Sequence, residues 1–484
     1  MRSVLYAVAA VSVATACLAP MRAGRTAPPV AQARSATALW DQNCASCHGR
    51  DGQGGGAGTQ TLLTPELLDQ DLDKRFFEAI KYGVPDSGMT AFGETMTDEQ
   101  VWSLVVHTRE LQARAMPPKR TQTDGVNRTR LASFRVETAY DGPGLDTPWS
   151  VDWLPDGRML VTSRSGTMVV VQDGKRVGEV KGLPAVLELG QGGLMDVAVA
   201  PDYPESGWIY LSYTEPSAEG ARRGGMTRIV RGKLDWSGEG PEWVGQQTLW
   251  QADPAAYTPS GVHFGCRIVF DGKGNLFFAI GERGNGALAP DLTKPNGKVY
   301  RIRLDGSVPP DNPFVGREGA LPAVWSYGHR NPQGLAFALD GSLWDTEHGP
   351  RGGDELNRIE RGAKYGWPDY SFGINYNDSP YKTPWPPEDA GVTMPVYRWV
   401  PSVGACGLDI ARGPMFPAWK GDFLAGGLSG QSVDRIRVRD GKFVEVERVF
   451  SGLGRVRDVV CARDGSVYVV LNDPDQVVRL VEAG

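Results

Sequence analysis

A chain of 484 residues exceeds the ~100–200 usual for one domain, so two or three domains are expected. With 41% hydrophobic and 22% charged residues it has material for a sizeable folded core, which excludes a disordered chain. A net charge of −6, with no basic run and no basic–aromatic interleaving, argues against a nucleic-acid partner.

The first elements in chain order are an export signal and its boundary. Arg2 precedes an apolar run from Val4 to Ala14, then small residues and Pro20, so residues 1–20 read as a signal peptide. The run falls short of the ~20 apolar residues a membrane span needs. Cys17, after Ala14-Thr15-Ala16, is a candidate lipid attachment site, although Ala14 stands where a larger aliphatic is usual. A periplasmic or otherwise exported protein is expected, touching membrane only through such an anchor. Export implies an oxidising compartment. If the signal and the next motif use three of the six cysteines, Cys266, Cys406 and Cys461 remain, and the simplest count is one disulfide and one thiol.

Cys44-Ala45-Ser46-Cys47-His48 is the attachment pattern for a c-type haem: two thiols bond the vinyl groups and the next histidine binds iron. A redox pair or half of a zinc site needs no adjacent histidine, and no second cysteine pair follows. A second axial ligand is expected from Met89 or Met96. Thr97 to Gln100 fit a capping box, which puts Met96 at N′, stapled against Val101. Met89 lies in a Gly-Met loop, free to approach iron, and is the expected ligand. His107, on the closing helix, reads as a surface or packing residue. Residues 36–115 are similar to a small class I cytochrome c, and the polar, proline-broken stretch 116–130 reads as a linker.

From residue 131 the texture changes to turn-plus-strand units. Asp156-Gly157, Pro201-Asp202, Asp271-Gly272, Asp340-Gly341, Lys420-Gly421 and Asp464-Gly465 each precede a short β-rich run. Six such units signal a six-bladed β-propeller. The expected fold is therefore multidomain: a small all-α cytochrome c domain followed by an all-β six-bladed β-propeller over 131–484. Propellers place function where loops converge on the channel mouth. His263, His329 and His348 lie in glycine-rich loops of this region, beside polar or charged neighbours, and are expected to share one site.

Four segments carry a family resemblance: Gly190 to Val197, His263 to Phe270, Ser326 to Leu335 and Glu347 to Asn357. In this order they resemble the soluble aldose sugar (glucose/sorbosone) dehydrogenases that depend on pyrroloquinoline quinone (PQQ). The resemblance implies a PQQ-dependent dehydrogenase with His263 as base, Gln191 on the substrate side and Arg330 beside the quinone carbonyls. It implies PQQ contacts from Asn331, His348, Arg455 and Arg457, and Ca²⁺ on the carbonyls of Gly349 and Pro350. Neutral imidazole suits base work near pH 7.

Three departures accompany the resemblance. Glu282 stands where the family has Asp to orient its histidine, and Ser429 where it has a PQQ-binding Lys. Cys266 and Cys406 replace Gly and Ser in two mouth loops, which suggests a Cys266–Cys406 disulfide. The sequence thus points to a quinohaemoprotein that oxidises a sugar or alcohol and passes electrons through haem to an external acceptor, a cytochrome or a respiratory chain. Two rivals are an electron-carrier or binding protein whose propeller has lost PQQ, supported by Glu282 and Ser429, and a Ca²⁺-dependent sugar lactonase.

Overall fold

The computed structural model describes residues 34–55, 59–218 and 224–483. The signal peptide and Cys17 lie outside them. No helix among the described residues is long and apolar enough to cross a membrane.

Among the described residues, four α-helices build the N-terminal domain: α1 (Ala36–Asn43), α2 (Ala45–His48), α3 (Leu72–Tyr82) and α4 (Asp98–Ala115). Ser35 caps α1, its hydroxyl accepting from the Ala38 amide at 3.1 Å. At the start of α4 the Gln100 amide donates to the Thr97 hydroxyl at 3.3 Å, and the Thr97 amide to the Gln100 side chain at 2.9 Å. That is the reciprocal box read from the sequence, and Met96 and Val101 are buried in one cluster behind it. His107 is buried, its ring 5.3 Å from that of Trp40.

Six antiparallel sheets follow among the described residues, five of four strands and one of five. The first five blades occupy residues 148–179, 194–250, 268–327, 332–399 and 405–451. The sixth joins strands from both ends of the region: Ser133–Tyr140 pairs antiparallel with Gln476–Glu482. Closing the ring in this way leaves no open edge between first and last blades. Each turn unit sits before the second strand of its blade: Met159–Ser163, Ile209–Pro216, Asn275–Ile280, Leu343–Glu347, Phe423–Gly427 and Val467–Asn472. In four of them the aspartate side chain accepts from the amide two residues on, as Asp156 does from Arg158 at 3.1 Å and Asp464 from Ser466 at 2.9 Å. The Asx-turn is the local reason the units are legible.

Each seam between neighbouring blades holds one apolar cluster. Val151 and Val161 meet Val470 and Val477 at the ring closure, and Tyr210 meets Phe278 and Tyr300 between the second and third blades. A fully buried side chain of this kind contributes about 1.5–3 kcal/mol.

The two parts pack together. A long connection in the fourth blade, between Asp354–Ile359 and Tyr397–Trp399, sends Phe372, Ile374 and Trp385 into the helical core. The fully buried Trp102 of α4 donates its indole N–H to the Phe372 carbonyl at 3.1 Å, and its ring lies 5.1 Å from Trp385. Asp73, buried on α3, is held by Arg109 at 2.6 Å and by Arg398 of the propeller at 2.8 Å. The linker read from the sequence is also tied down. The Thr121 amide donates to the Ser451 carbonyl at 2.9 Å, and Asn127–Arg128 pairs with Ser133 and Phe134.

Candidate active site at the propeller mouth

The loops that carry the sequence motifs converge on a cavity of about 410 Å³, lined among others by Gln191, His348, Gly349, Pro350, Arg455 and Arg457. His263 lies in the loop that enters the third blade. Its φ of +56° is a left-handed conformation, sparsely populated for a side chain of this size. Two contacts hold it there: its amide donates to the Gln191 side-chain oxygen at 2.9 Å, and its ring Nδ1 pairs with the Glu282 carboxylate. The longer glutamate therefore reaches the histidine. Gly281 makes the approach possible, since a Cβ there would stand 2.4 Å from the His263 carbonyl oxygen. Burial lowers the His263 pKa below 6.5, Arg330 adds to this, and the Glu282 hydrogen bond works against it. The result is a neutral ring at pH 7, with Nδ1 engaged by Glu282 and Nε2 outside that pairing.

Arg330 approaches from the fourth blade. Its guanidinium donates to the His348 carbonyl at 3.1 Å and the Tyr376 hydroxyl at 3.3 Å. Its amide is fixed by Glu347 at 2.8 Å, and its carbonyl accepts from the Glu282 amide at 2.9 Å. Gln191, His263, Glu282 and Arg330 are thus one connected group. Asn331 is fully buried, its side-chain oxygen accepting from the Gly265 amide at 3.1 Å and from Gln333 at 3.2 Å. Burial holds His348 well below the ordinary histidine range, and Arg330 adds to it.

Arg455 and Arg457 open the first strand of the sixth blade, where a register irregularity follows Val456. Arg457 is buried, its guanidinium 4.1 Å from the Trp149 ring and 3.4 Å from the Gln333 side-chain oxygen. Beneath it lies Arg267, donating to Asp196 at 2.8 Å, to Asp458 at 2.9 Å and to the carbonyls of Gln333 and Arg457 at 3.0 and 3.1 Å. Burial opposes its charge, but Asp458 and Asp196 outweigh that and raise its pKa. Gly349 is pinned by its amide to Asp354 at 3.0 Å, and a Cβ on it would stand 2.2 Å from the Gly353 carbonyl oxygen.

Whether these residues fit a planar, carboxylate-bearing quinone can be judged from their unmet hydrogen bonds. Arg330 Nε, Asn331 Nδ2 and Arg457 Nε are buried donors without a partner among the described residues, and His348 Nε2 is a buried ring nitrogen without one. His348 and Arg457 line the cavity with Arg351 and Arg455, and three arginines beside unmet donors suit an anionic acceptor. The backbone oxygens of Gly349 and Pro350 accept no hydrogen bond among the described residues, which suits hard-cation ligands.

In the helical domain Cys44 is the N-cap of α2, which carries Cys47 and ends at His48. Burial, then Cys47, pushes the Cys44 thiol up to about 12. The His48 Nδ1 is buried without a partner, and Met89 packs against the cluster that contains Cys44. These groups fit a covalently held haem with histidine on one side.

Two expectations fail. The Cys266–Cys406 disulfide is absent, and all five described cysteines are free. Cys266 takes the Trp149 indole N–H at 3.3 Å, while the Cys406 thiol donates to the Arg457 carbonyl at 2.9 Å, so each sulfur is aimed at another partner. His329 does not share the mouth. It is fully buried, with Nε2 2.8 Å from the Ser326 hydroxyl, Nδ1 3.4 Å from Glu347 and its ring stacked 4.4 Å from Tyr365. It supports Arg330 through Glu347. Sequence reasoning missed Trp149, Gln333, Arg351 and, from the helical domain, Glu110, which also lines the cavity. Gln333 and Arg351 lie inside segments already singled out, so adjacency was their only signal. Ser429 does line the cavity.

The Glucose / Sorbosone dehydrogenase family model matches residues 145–480, and that of the cbb3-type cytochrome c oxidase subunit III matches residues 31–108. An aldose sugar dehydrogenase of Escherichia coli strain K12 is 40% identical over 348 residues, covering 71% of this chain and 91% of its own. The crystal structure of the soluble E. coli aldose sugar dehydrogenase in its apo form aligns with a TM-score of 0.66 at 36% identity, covering 72% of this chain and all of its own. The PQQ-bound form of an aldose sugar dehydrogenase from Streptomyces coelicolor aligns with a TM-score of 0.59 at 28% identity, covering 72% of this chain and 98% of its own. With its six blades, its mouth residues and this match over most of its length, the chain belongs to the glucose/sorbosone dehydrogenase family and carries a cytochrome c domain ahead of the propeller.

Proposed function

We propose that the protein is a PQQ-dependent quinohaemoprotein dehydrogenase that oxidises an aldose, or a related sugar or alcohol, and passes the electrons to its own haem. The observation that carries this reading is the His263–Glu282 pair, held against Gln191 and Arg330 beside a cavity lined by His348, Arg455 and Arg457. The PQQ-bound relative supports the choice of quinone. When bound, PQQ supplies a two-electron acceptor, Ca²⁺ on Gly349 and Pro350 a Lewis acid, and the haem on Cys44, Cys47, His48 and Met89 a one-electron outlet.

The chain's own residues do the rest. His263 takes the proton of the substrate hydroxyl, and Glu282 fixes the ring and stabilises the imidazolium that forms. Gln191 orients substrate on the same side. Arg330 would place positive charge where negative charge develops on the acceptor. Asn331, His348, Arg455 and Arg457 bind and orient the cofactor. Export to the periplasm, with Cys17 as a candidate anchor, and a soluble or membrane-bound electron acceptor complete the reading.

The test is His263→Ala in the full chain, with PQQ binding followed by tryptophan fluorescence and turnover by a dye acceptor. Turnover should fall by at least about 10², the contribution of a positioned general base, while PQQ binding persists. Unchanged turnover would overturn the role of His263. An intact haem spectrum with no PQQ binding in the wild type would leave the electron-carrier reading.

A further inference from the structure

The haem-bearing domain contributes to the catalytic cavity itself. Glu110 of α4 is one of the lining residues, and both its carboxylate oxygens accept from Arg351, at 2.8 and 2.7 Å. Arg351 directly follows Pro350 and lines the same cavity. Its remaining donor goes to Asp378 at 2.9 Å. Asp378 in turn accepts from the start of α1, its side chain from the Thr37 amide at 3.0 Å and its carbonyl from the Ala36 amide at 2.8 Å. One arginine beside the proposed cation ligands therefore pins both terminal helices of the cytochrome domain. Fork-to-fork geometry of this kind is both strong and directional.

A chain of contacts runs inward from the latch. His107 lies three residues before Glu110, on the same side of α4. Its ring packs 5.3 Å from Trp40, and Trp40 lies 6.1 Å from the ring of His48. Cavity wall and haem ligand are thus joined by packed side chains.

We infer that the Glu110–Arg351 pair is a positioning latch for electron transfer: it holds α4 as one wall of the cavity, so that electrons leave through α4, His107 and Trp40 toward the haem over a fixed path. This rests on the dehydrogenase reading above. Oxidation of one substrate CH–OH to C=O releases two electrons and two protons. The hydroxyl proton would leave through His263 to solvent; the carbon-bound hydrogen, carried with the electron pair to the quinone acceptor, would be released as the second proton when the electrons pass singly to the haem, the second after a one-electron acceptor has reoxidised it. A salt bridge with only a structural role would stabilise the fold without setting this rate.

The test uses the full-length holoprotein carrying Glu110→Ala or Trp385→Ala, the latter removing a docking contact remote from the cavity. Stopped-flow haem reduction by glucose, turnover with a small dye and hydrogen exchange of the α4 amides are measured together, with the Soret band as a check on folding. Both variants should lose α4 protection and reduce haem at least about tenfold more slowly, as a fixed intramolecular encounter loosens, while Trp385→Ala keeps its dye turnover. Wild-type haem reduction in variants whose α4 has loosened would overturn the inference, as would unchanged α4 protection in both. If the wild type shows no PQQ-dependent dye turnover, the parent reading fails, and exchange alone decides whether the latch exists.

Discussion

On the proposed reading, His263 and Glu282 divide the work of a base between two side chains. Burial keeps the imidazole below its ordinary pKa, and the Glu282 hydrogen bond is the main influence raising it. A base must be neutral to accept a proton, so activity is retained as pH falls until it passes the lowered His263 pKa, and is lost below it. In Glu282→Gln the raising influence goes. The acid limb of the kcat/KM profile should move to still lower pH, and turnover at pH 7 should fall about ten- to a hundredfold, part of the ~10²–10⁴ a general base contributes. An acid limb that stays in place would mean that Glu282 does not act on His263. This pairing was half legible: the residue type at 282 was visible, but whether one extra methylene still reached the ring depended on the close approach at Gly281.

Among the elements, the propeller is held together beneath its mouth by one buried arginine. Arg267 bridges Asp196 of the second blade and Asp458 of the sixth, and Asp196 also accepts from the Ser150 hydroxyl of the first at 2.7 Å. Burial pushes Asp458 up to about 7, with Arg267 working against it. Arg267→Met would leave two buried carboxylates uncompensated, and breaking such a network costs about 3–5 kcal/mol. The melting temperature of the propeller should fall by several degrees, and a variant melting with the wild type would show that the network is not load-sharing. The turn units were readable because an aspartate and a glycine act within a few residues of chain. Arg267 was not, since its partners come from blades about 70 and 190 residues away. The disulfide expectation erred for the same reason: two cysteines in loops expected at the same mouth were visible, but the Trp149 and Arg457 groups that claim their sulfurs were not.

For the whole molecule, the fusion is more than a tether. Haem attachment was legible at once, because Cys44, Cys47 and His48 form a contiguous covalent motif. Docking was not, because nothing in the local sequence says that Trp102 buries against Phe372 and Trp385 or that Arg398 reaches Asp73. On the proposed reading, these contacts would turn a diffusional encounter between quinone and haem into an internal one. The measurement that tests the account most directly is anaerobic: the oxidised full-length protein, supplied with PQQ and Ca²⁺, is mixed with an aldose while the haem spectrum is recorded. Haem reduction that requires both PQQ and the sugar, and that is lost in His263→Ala, is the predicted result. A haem that stays oxidised while the propeller turns over a dye with the same sugar would contradict it.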